Sequence, residues 1–123
     1  MLVMIAALAG GVGLSAHHSF PAFYFEDQIV SVQGELVEFD YRAPHVWVHI
    51  KAPDAEGRLQ TFAAEWANPS RLSRENVTKE SLRPGDVVIV TGSPGRTAGE
   101  HKLHLKKIER PADGWKWEAR MRR

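Results

Sequence analysis

Two adjacent histidines, His17 and His18, follow a short apolar run at the start of the chain. A peptidase that cut after Ala16 would leave His17 as the first residue of the mature protein. Its α-amino nitrogen and ring Nδ1 can then chelate one metal ion, and a nitrogen from another histidine can complete a T-shaped site. Nitrogen ligands in tetragonal geometry favour Cu(II). The pattern therefore predicts a copper-type site that depends on processing of the N-terminus.

The candidate third ligand is His45, and His18 is the weaker alternative. Glu65 is a candidate for orienting a histidine ligand through a hydrogen bond. Cleavage one residue earlier would leave Ala16 first and His18 third, which forms the amino-terminal copper and nickel chelate. The alternative without metal is that the paired histidines serve processing or tie the N-terminal segment to the domain. The two-histidine site requires His45 to lie on the side of the domain where that segment enters.

A second histidine, His49, shares a strand face with His45. Four residues of extended chain separate the two by about 13 Å, which is too far for one ion. We therefore expect His49 to be an exposed strand residue. Trp47 lies between them and is a candidate ligand-binding residue, as a stacking platform for a sugar or a base. The structural alternative is that it covers a barrel opening or packs under the N-terminal segment.

Catalysis by a carboxyl group would need a second carboxylate near Glu65. Glu38 and Asp40 are available, but nothing in the spacing pairs them with it, so a salt bridge from Glu65 to Arg42 or Arg71 is expected. The sequence has no phosphate-binding glycine loop, nucleophile elbow, zinc-protease helix or haem-attachment motif. We therefore expect a binding protein; a copper enzyme would need an open coordination position facing a groove.

Composition limits the alternatives further. The 123 residues suffice for one small domain. Sixteen Lys and Arg against fifteen Asp and Glu give a net charge of +1, which predicts that nucleic acid is not a partner, because nucleic-acid binders usually gather a basic excess. The absence of cysteine excludes disulfides and thiolate metal sites. The expected partner is a protein or a small ligand, and the alternative to a metal-binding protein is a metal-free periplasmic accessory domain that binds such a partner through the face of Trp47.

The first 16 residues carry no charged side chain. The run is too short for a comfortable membrane span, which needs about 20 residues, but it fits the apolar region of a secretory signal. No Lys or Arg precedes it, which leaves open that the natural start lies upstream. We predict a signal peptide over residues 1–16 and a periplasmic or secreted protein; an uncleaved anchor and a buried segment are the alternatives.

The rest of the chain divides into an extended arm (17–28), a barrel (29–110) and a tail (111–123). Alternation predicts strands over 29–42, 43–52, 58–67, 87–92 and 101–110, with a bulge near Leu36 and Val37. Asn68 and Pro69 begin a short helix, or two helical turns, that extends to about Leu82. A helix between the third and fourth of five strands predicts an all-β fold with one short helix, an OB-fold-like five-stranded antiparallel barrel.

The last predicted strand is basic and contains His101 and His104, and we expect it to be a solvated edge strand. The tail combines Trp115 and Trp117 with several cationic residues. It is either a frayed end whose tryptophans fold onto the barrel or a segment that touches an anionic membrane surface. Membrane contact is otherwise expected only through the signal peptide.

Four motifs occur in a fixed order along the chain: AHHSF (16–20), APHVWVHI (43–50), FAAEWANPSRL (62–72) and LRPGDVVIVTG (82–92). Together they resemble a family of small exported bacterial proteins of unknown function, whose mature form starts His-His-Ser-Phe and whose strand motif is Pro-His-x-Trp. The resemblance extends over residues 16–111. It implies an exported barrel domain without assigning an activity, with these residues at motif positions: His17, His18, His45, Trp47 and Glu65.

Overall fold

A computed structural model describes residues 19–120 of the chain. Neither helix in this range has the length and apolar character needed to cross a bilayer. The described residues form two short helices and six strands: α1 (Phe20–Phe23), β1 (Val30–Asp40), β2 (Trp47–Pro53), β3 (Leu59–Glu65), α2 (Pro69–Arg74), β4 (Val87–Pro94), β5 (Lys102–Arg110) and β6 (Trp115–Glu118).

Five of the strands form a closed barrel. The long strand β1 pairs with β4 through residues 30–35 and with β2 through residues 35–40, so it belongs to both halves of the barrel. β2 pairs with β3, and β4 with β5, in antiparallel fashion. A short parallel pair between residues 63–65 of β3 and 102–104 of β5 closes the ring. The predicted OB-fold-like barrel is confirmed, with one parallel pair at its closure.

Strong bending of β1 makes this closure possible. The predicted bulge is confirmed, because the register against β2 shifts between Leu36 and Glu38. Leu36 is consequently buried and Val37 is exposed. A Cβ atom at Gly34 would clash with the carbonyl oxygen of Lys51, so β1 can pass this close to β2 only without a side chain there.

Alternation along β2 and β3 determines the core. One face of each strand points into the barrel, and every member of these faces is buried: Val46, Val48, Ile50, Phe62, Ala64 and Trp66. The predicted start of the helix is also confirmed, because Oδ1 of Asn68 accepts a hydrogen bond from the backbone nitrogen of Arg71 at 2.8 Å. The α-helix ends at Arg74, earlier than predicted.

The tail contributes a sixth strand that the sequence did not predict. β6 pairs with β5 over residues 107–110. Trp117 is buried and packs edge-on against Trp66, with ring centroids 5.2 Å apart. The prediction of β5 as a solvated edge strand is wrong, because β5 pairs with β3, β4 and β6 at different points along its length.

The close approach at Gly34 predicts the effect of a small substitution. Gly34→Ala should lower the free energy of unfolding by roughly 1–3 kcal/mol, because the added methyl group overpacks the contact with β2. For a domain of this size, each kcal/mol corresponds to a fall of about 4–8 °C in Tm, measurable by circular dichroism. The exposed neighbour provides the control, and Gln33→Ala should stay within about 0.5 kcal/mol. An unchanged Tm in Gly34→Ala would contradict the close approach.

Candidate functional site

The closure of the barrel brings ionisable side chains together on its outer surface. Glu65 and His104 are directly paired across the parallel strands β3 and β5. Their inner neighbours Ala64 and Leu103 are buried in the core, so Glu65 and His104 both face outward. His45, just before β2, lies beside Glu65. We call His45, Glu65 and His104 the histidine–carboxylate row.

Glu65 is only 3% exposed although it points away from the barrel core. The arm covers it: the hydroxyl of Tyr24 donates a hydrogen bond to Oε1 of Glu65 at 2.7 Å. Oε2 of Glu65 lies 2.7 Å from Nδ1 of His45. Burial, and then the hydrogen bond to Glu65, raise the pKa of Tyr24, so the phenol keeps its proton and acts as a donor.

The salt bridge predicted from Glu65 to Arg42 or Arg71 is wrong. Nε of Arg42 lies 2.7 Å from Asp40, and Nε of Arg71 lies 3.5 Å from Glu75. Each arginine is therefore paired with a carboxylate only a few residues away in the sequence. Local pairing needs less ordering of the chain than a contact across the barrel.

His104 has a carboxylate partner from the arm. Its Nδ1 lies 2.7 Å from Oε1 of Glu26, whose Oε2 is 3.1 Å from Nζ of Lys106. Burial lowers the pKa of His104 more than the charge of Glu26 raises it. Burial raises the pKa of Glu26, but the interactions with Lys106, Ser93 and His104 outweigh it and hold that pKa below its usual value. A neutral imidazole therefore donates from Nδ1 to an ionised carboxylate, and Nε2 carries the lone pair.

Phe20, the first residue of α1, lies over the row. Its ring stacks on His104 with centroids 3.6 Å apart and planes 2° from parallel. The same ring is 5.7 Å from the ring of His45. The arm therefore enters on the side of the barrel that carries His45, as the two-histidine site requires. The candidate ligands His17 and His18 lie outside the described residues.

Trp47 is half-buried beside the arm. Its ring is 6.4 Å from that of His49, with planes 23° apart. His49 is half-buried rather than exposed as predicted. Trp47, Phe23 and Tyr24 help to line a small cavity of about 160 Å³ next to Glu65. The indole thus has one aromatic neighbour on β2 and a cavity on its arm side.

A larger groove of about 950 Å³ borders the other end of the row. Phe20 and His104 contribute to its lining, and so do Trp66 and Trp117. Its size is near the upper end of small-molecule sites. His104 therefore adjoins open space as well as the arm.

Within residues 19–120, no three His, Asp or Glu side chains are arranged to hold a metal ion. What this part of the chain offers is two imidazole–carboxylate pairs, His45 with Glu65 and His104 with Glu26. A complete ligand set must draw on residues outside this range or on a rearranged arm.

Sequence reasoning identified His45 and Glu65 but missed three residues of the site: Tyr24, Glu26 and His104. A signal for His104 was present, because the buried Leu103 and Leu105 place it on the outer face of β5. The parallel closure of an OB-like barrel would then have put it next to the end of β3. The arm has no periodic pattern, so nothing in the sequence marked Tyr24 or Glu26.

Comparisons with known proteins identify a family and a fold. The sequence signature of the Family of unknown function (DUF6152) matches residues 5–104. No curated protein matches the chain. One crystal form of Rim1, a mitochondrial single-stranded DNA binding protein from S. cerevisiae, is similar with 14% identity and a TM-score of 0.50, covering 77% of this chain and 98% of that one. A second form has 20% identity and a TM-score of 0.48, covering 68% and 92%.

The prediction that nucleic acid is not a partner is wrong, because net charge alone does not exclude this class of ligand. The similar structure with a TM-score of 0.50 is a single-stranded DNA binding protein, so such binding occurs on a fold of this kind. The physical reason is that a net charge of +1 is a sum over the whole chain. It does not report how cations and aromatic rings are distributed on one face, and stacking on such rings carries much of single-strand binding.

The hydrogen bond between Tyr24 and Glu65 can be tested through its effect on the free energy of unfolding. Tyr24→Phe should lower the free energy of unfolding by roughly 1–3 kcal/mol, because it leaves a buried carboxylate with one donor fewer. Urea denaturation at pH 7 measures the change. In a Glu65→Gln background the same substitution should cost less, since the charged acceptor is gone. Equal costs in both backgrounds would show that the charge of Glu65 does not strengthen this hydrogen bond.

The buried pair of His104 and Glu26 predicts a loss of stability on acidification of the metal-free protein. The pKa of folded His104 lies below its ordinary 6.5, so the unfolded chain takes up that proton first and is favoured as pH falls below 6.5. The depressed pKa of Glu26 adds to the loss only below its ordinary 4.5. His104→Asn keeps a donor for Glu26 but does not titrate. Its denaturation midpoints, measured with a chelator present, should fall less between pH 6.5 and 4.5, and a wild-type slope would refute the buried neutral imidazole.

Proposed function

This chain belongs to the DUF6152 family of unknown function, and we propose that it is an exported protein that binds a copper-type metal through its processed N-terminus and a histidine of the barrel. The α-amino and ring nitrogens of His17 and the ring of His45 are the proposed ligands, with His18 as the alternative from the arm. The observation that carries the proposal is the hydrogen bond between His45 and the buried Glu65.

That hydrogen bond gives His45 a defined ligating atom. With Nδ1 directed at Glu65 at 2.7 Å, Nε2 is the nitrogen for a metal. Histidine ligands of metal sites usually donate their other ring N–H to a carboxylate, which fixes the tautomer and raises the basicity of the ligand. Glu65 is itself held by Tyr24. The imidazole is thus supported by two successive hydrogen bonds.

The described part of the arm is attached to the barrel at several points. The backbone nitrogen of Phe25 donates to the carbonyl of Pro94 at 2.8 Å. Nε of Arg96 donates to the carbonyl of Pro21 at 2.9 Å, and its guanidinium lies 4.5 Å from the ring centroid of Phe25. These contacts hold α1 against the barrel.

The described arm begins close enough to the histidine–carboxylate row for a ligand at residue 17 to reach it. His17 precedes Phe20 by three residues, a length that spans at most about 11 Å. The ring of Phe20 is 5.7 Å from that of His45. A terminal amino group on His17 is therefore within reach of the barrel histidine, which supports their sharing one ion.

Export is part of the proposal, because the chelating amine exists only after the first 16 residues are removed. The uncharged apolar run that precedes His17 supports a secretory signal. Periplasmic or secreted location follows from it. Mass spectrometry of the protein recovered outside the cytoplasm should give a first residue of His17, and a start beyond His18 would contradict the proposal.

Copper titration tests the ligand set directly. Protein that begins at His17 should bind Cu(II) at least tenfold more tightly than the same protein extended by one N-terminal Gly, because the extension removes the terminal chelate. His45→Asn should also weaken binding, whereas the matched His49→Asn, on the same strand, should not. Glu65→Gln should cost about 10–100-fold in affinity. Equal tight binding by the native and extended forms would refute the N-terminal site.

A second candidate function is binding of single-stranded nucleic acid. The observation that favours it is the aromatic pair of Trp47 and His49 on the outer face of β2, because OB-folds bind oligonucleotides on the face of their second and third strands. Fluorescence titration with oligothymidylate should then show salt-dependent quenching. Trp47→Leu should weaken binding by roughly 1–3 kcal/mol, and no quenching at low salt would dismiss this candidate.

A further inference from the structure

We propose that His104 is a second imidazole ligand of the metal site, positioned by Glu26; this inference rests on the proposed function. His104 repeats the arrangement of His45, with Nδ1 2.7 Å from a carboxylate oxygen in both cases. The two carboxylates come from different elements, Glu65 from β3 and Glu26 from the arm. The same supporting geometry therefore arises twice in one cluster, from independent parts of the chain.

Two contacts fix the orientation of the His104 ring, one its plane and the other its rotation within that plane. The stacked ring of Phe20, 3.6 Å away and 2° from parallel, fixes the plane of the imidazole. The bond to Glu26 fixes its rotation within that plane. A metal binds imidazole at the ring edge, in the ring plane, so Phe20 on the face does not occupy the coordination direction. Such prior fixing of a ligand is what precise metal sites need.

The two imidazoles share two neighbours, Glu65 and Phe20. Glu65 is the directly paired neighbour of His104 and the hydrogen-bond partner of His45. Both imidazole centroids lie within 5.7 Å of the centroid of Phe20. The chain that leads back to His17 starts at that same residue, so both barrel histidines are within reach of the proposed N-terminal chelate.

The resulting ligand set defines the class of metal. The terminal amine and ring of His17 with the rings of His45 and His104 supply four nitrogens. An all-nitrogen set of this kind suits Cu(II) or Ni(II) in tetragonal geometry and is a poor match for the oxygen-seeking Mg²⁺ or Ca²⁺. His104 also lines the groove of about 950 Å³, which gives the centre a route of access from solvent.

Pulsed EPR of the Cu(II)-loaded protein that begins at His17 tests the inference. The spectrum of the wild type should require three imidazoles, and that of His104→Asn should require two. This variant keeps a donor for Glu26, so the arm stays attached, and thermal unfolding checks that it folds. His101→Asn, three residues earlier and packed on Phe62, is the control and should keep three. Competition titration should show at least tenfold weaker binding in His104→Asn, and about 10–100-fold in Glu26→Gln.

The outcomes separate the two proposals. A wild-type count of two imidazoles that drops in His45→Asn and not in His104→Asn would overturn the role of His104 and leave the proposed function standing. A wild-type protein that binds no Cu(II) would overturn both. Because the wild-type count needs no variant, poor folding of His104→Asn would not prevent a decision.

Discussion

The burial of the Glu65 carboxylate is the constraint on which the rest of the site depends. A buried carboxylate is tolerated only when donors surround it, and here they come from Tyr24 of the arm and from His45 before β2. The arm therefore docks where the barrel presents this charge. Phe20 is held over both histidines because Tyr24, one helical turn later, is held by Glu65.

Much of the fold could be predicted from the sequence, because its signals are local. Alternating residues in β2 and β3, the cap at Asn68 and the change of face at Leu36 each act over a few residues, and all are present in the structure. β6 was missed because four residues carry too little periodicity to stand out in a basic tail. Its position depends on Trp117 packing against Trp66, a contact between distant parts of the chain that no local pattern encodes.

The candidate site, like the fold, could be predicted only in part from the sequence. His45 and Glu65 were identifiable because a strand pattern fixed the faces of β2 and β3. His104 was not, since its role depends on a parallel pairing between β3 and β5 across some forty residues. The pairing of Glu26 and Tyr24 depends on how an aperiodic arm folds back. Arg42 and Arg71 were assigned to the wrong carboxylate because nearer acidic residues compete for them.

The parallel pairing of β3 and β5 determines when the candidate site forms during synthesis and folding. Glu65 emerges during synthesis well before His104, and the two become neighbours only when the last strand of the ring is in place. A partly folded chain, or one cut short before residue 104, therefore lacks the cluster altogether. A ligand that needs this cluster can therefore bind only those molecules whose barrel has closed.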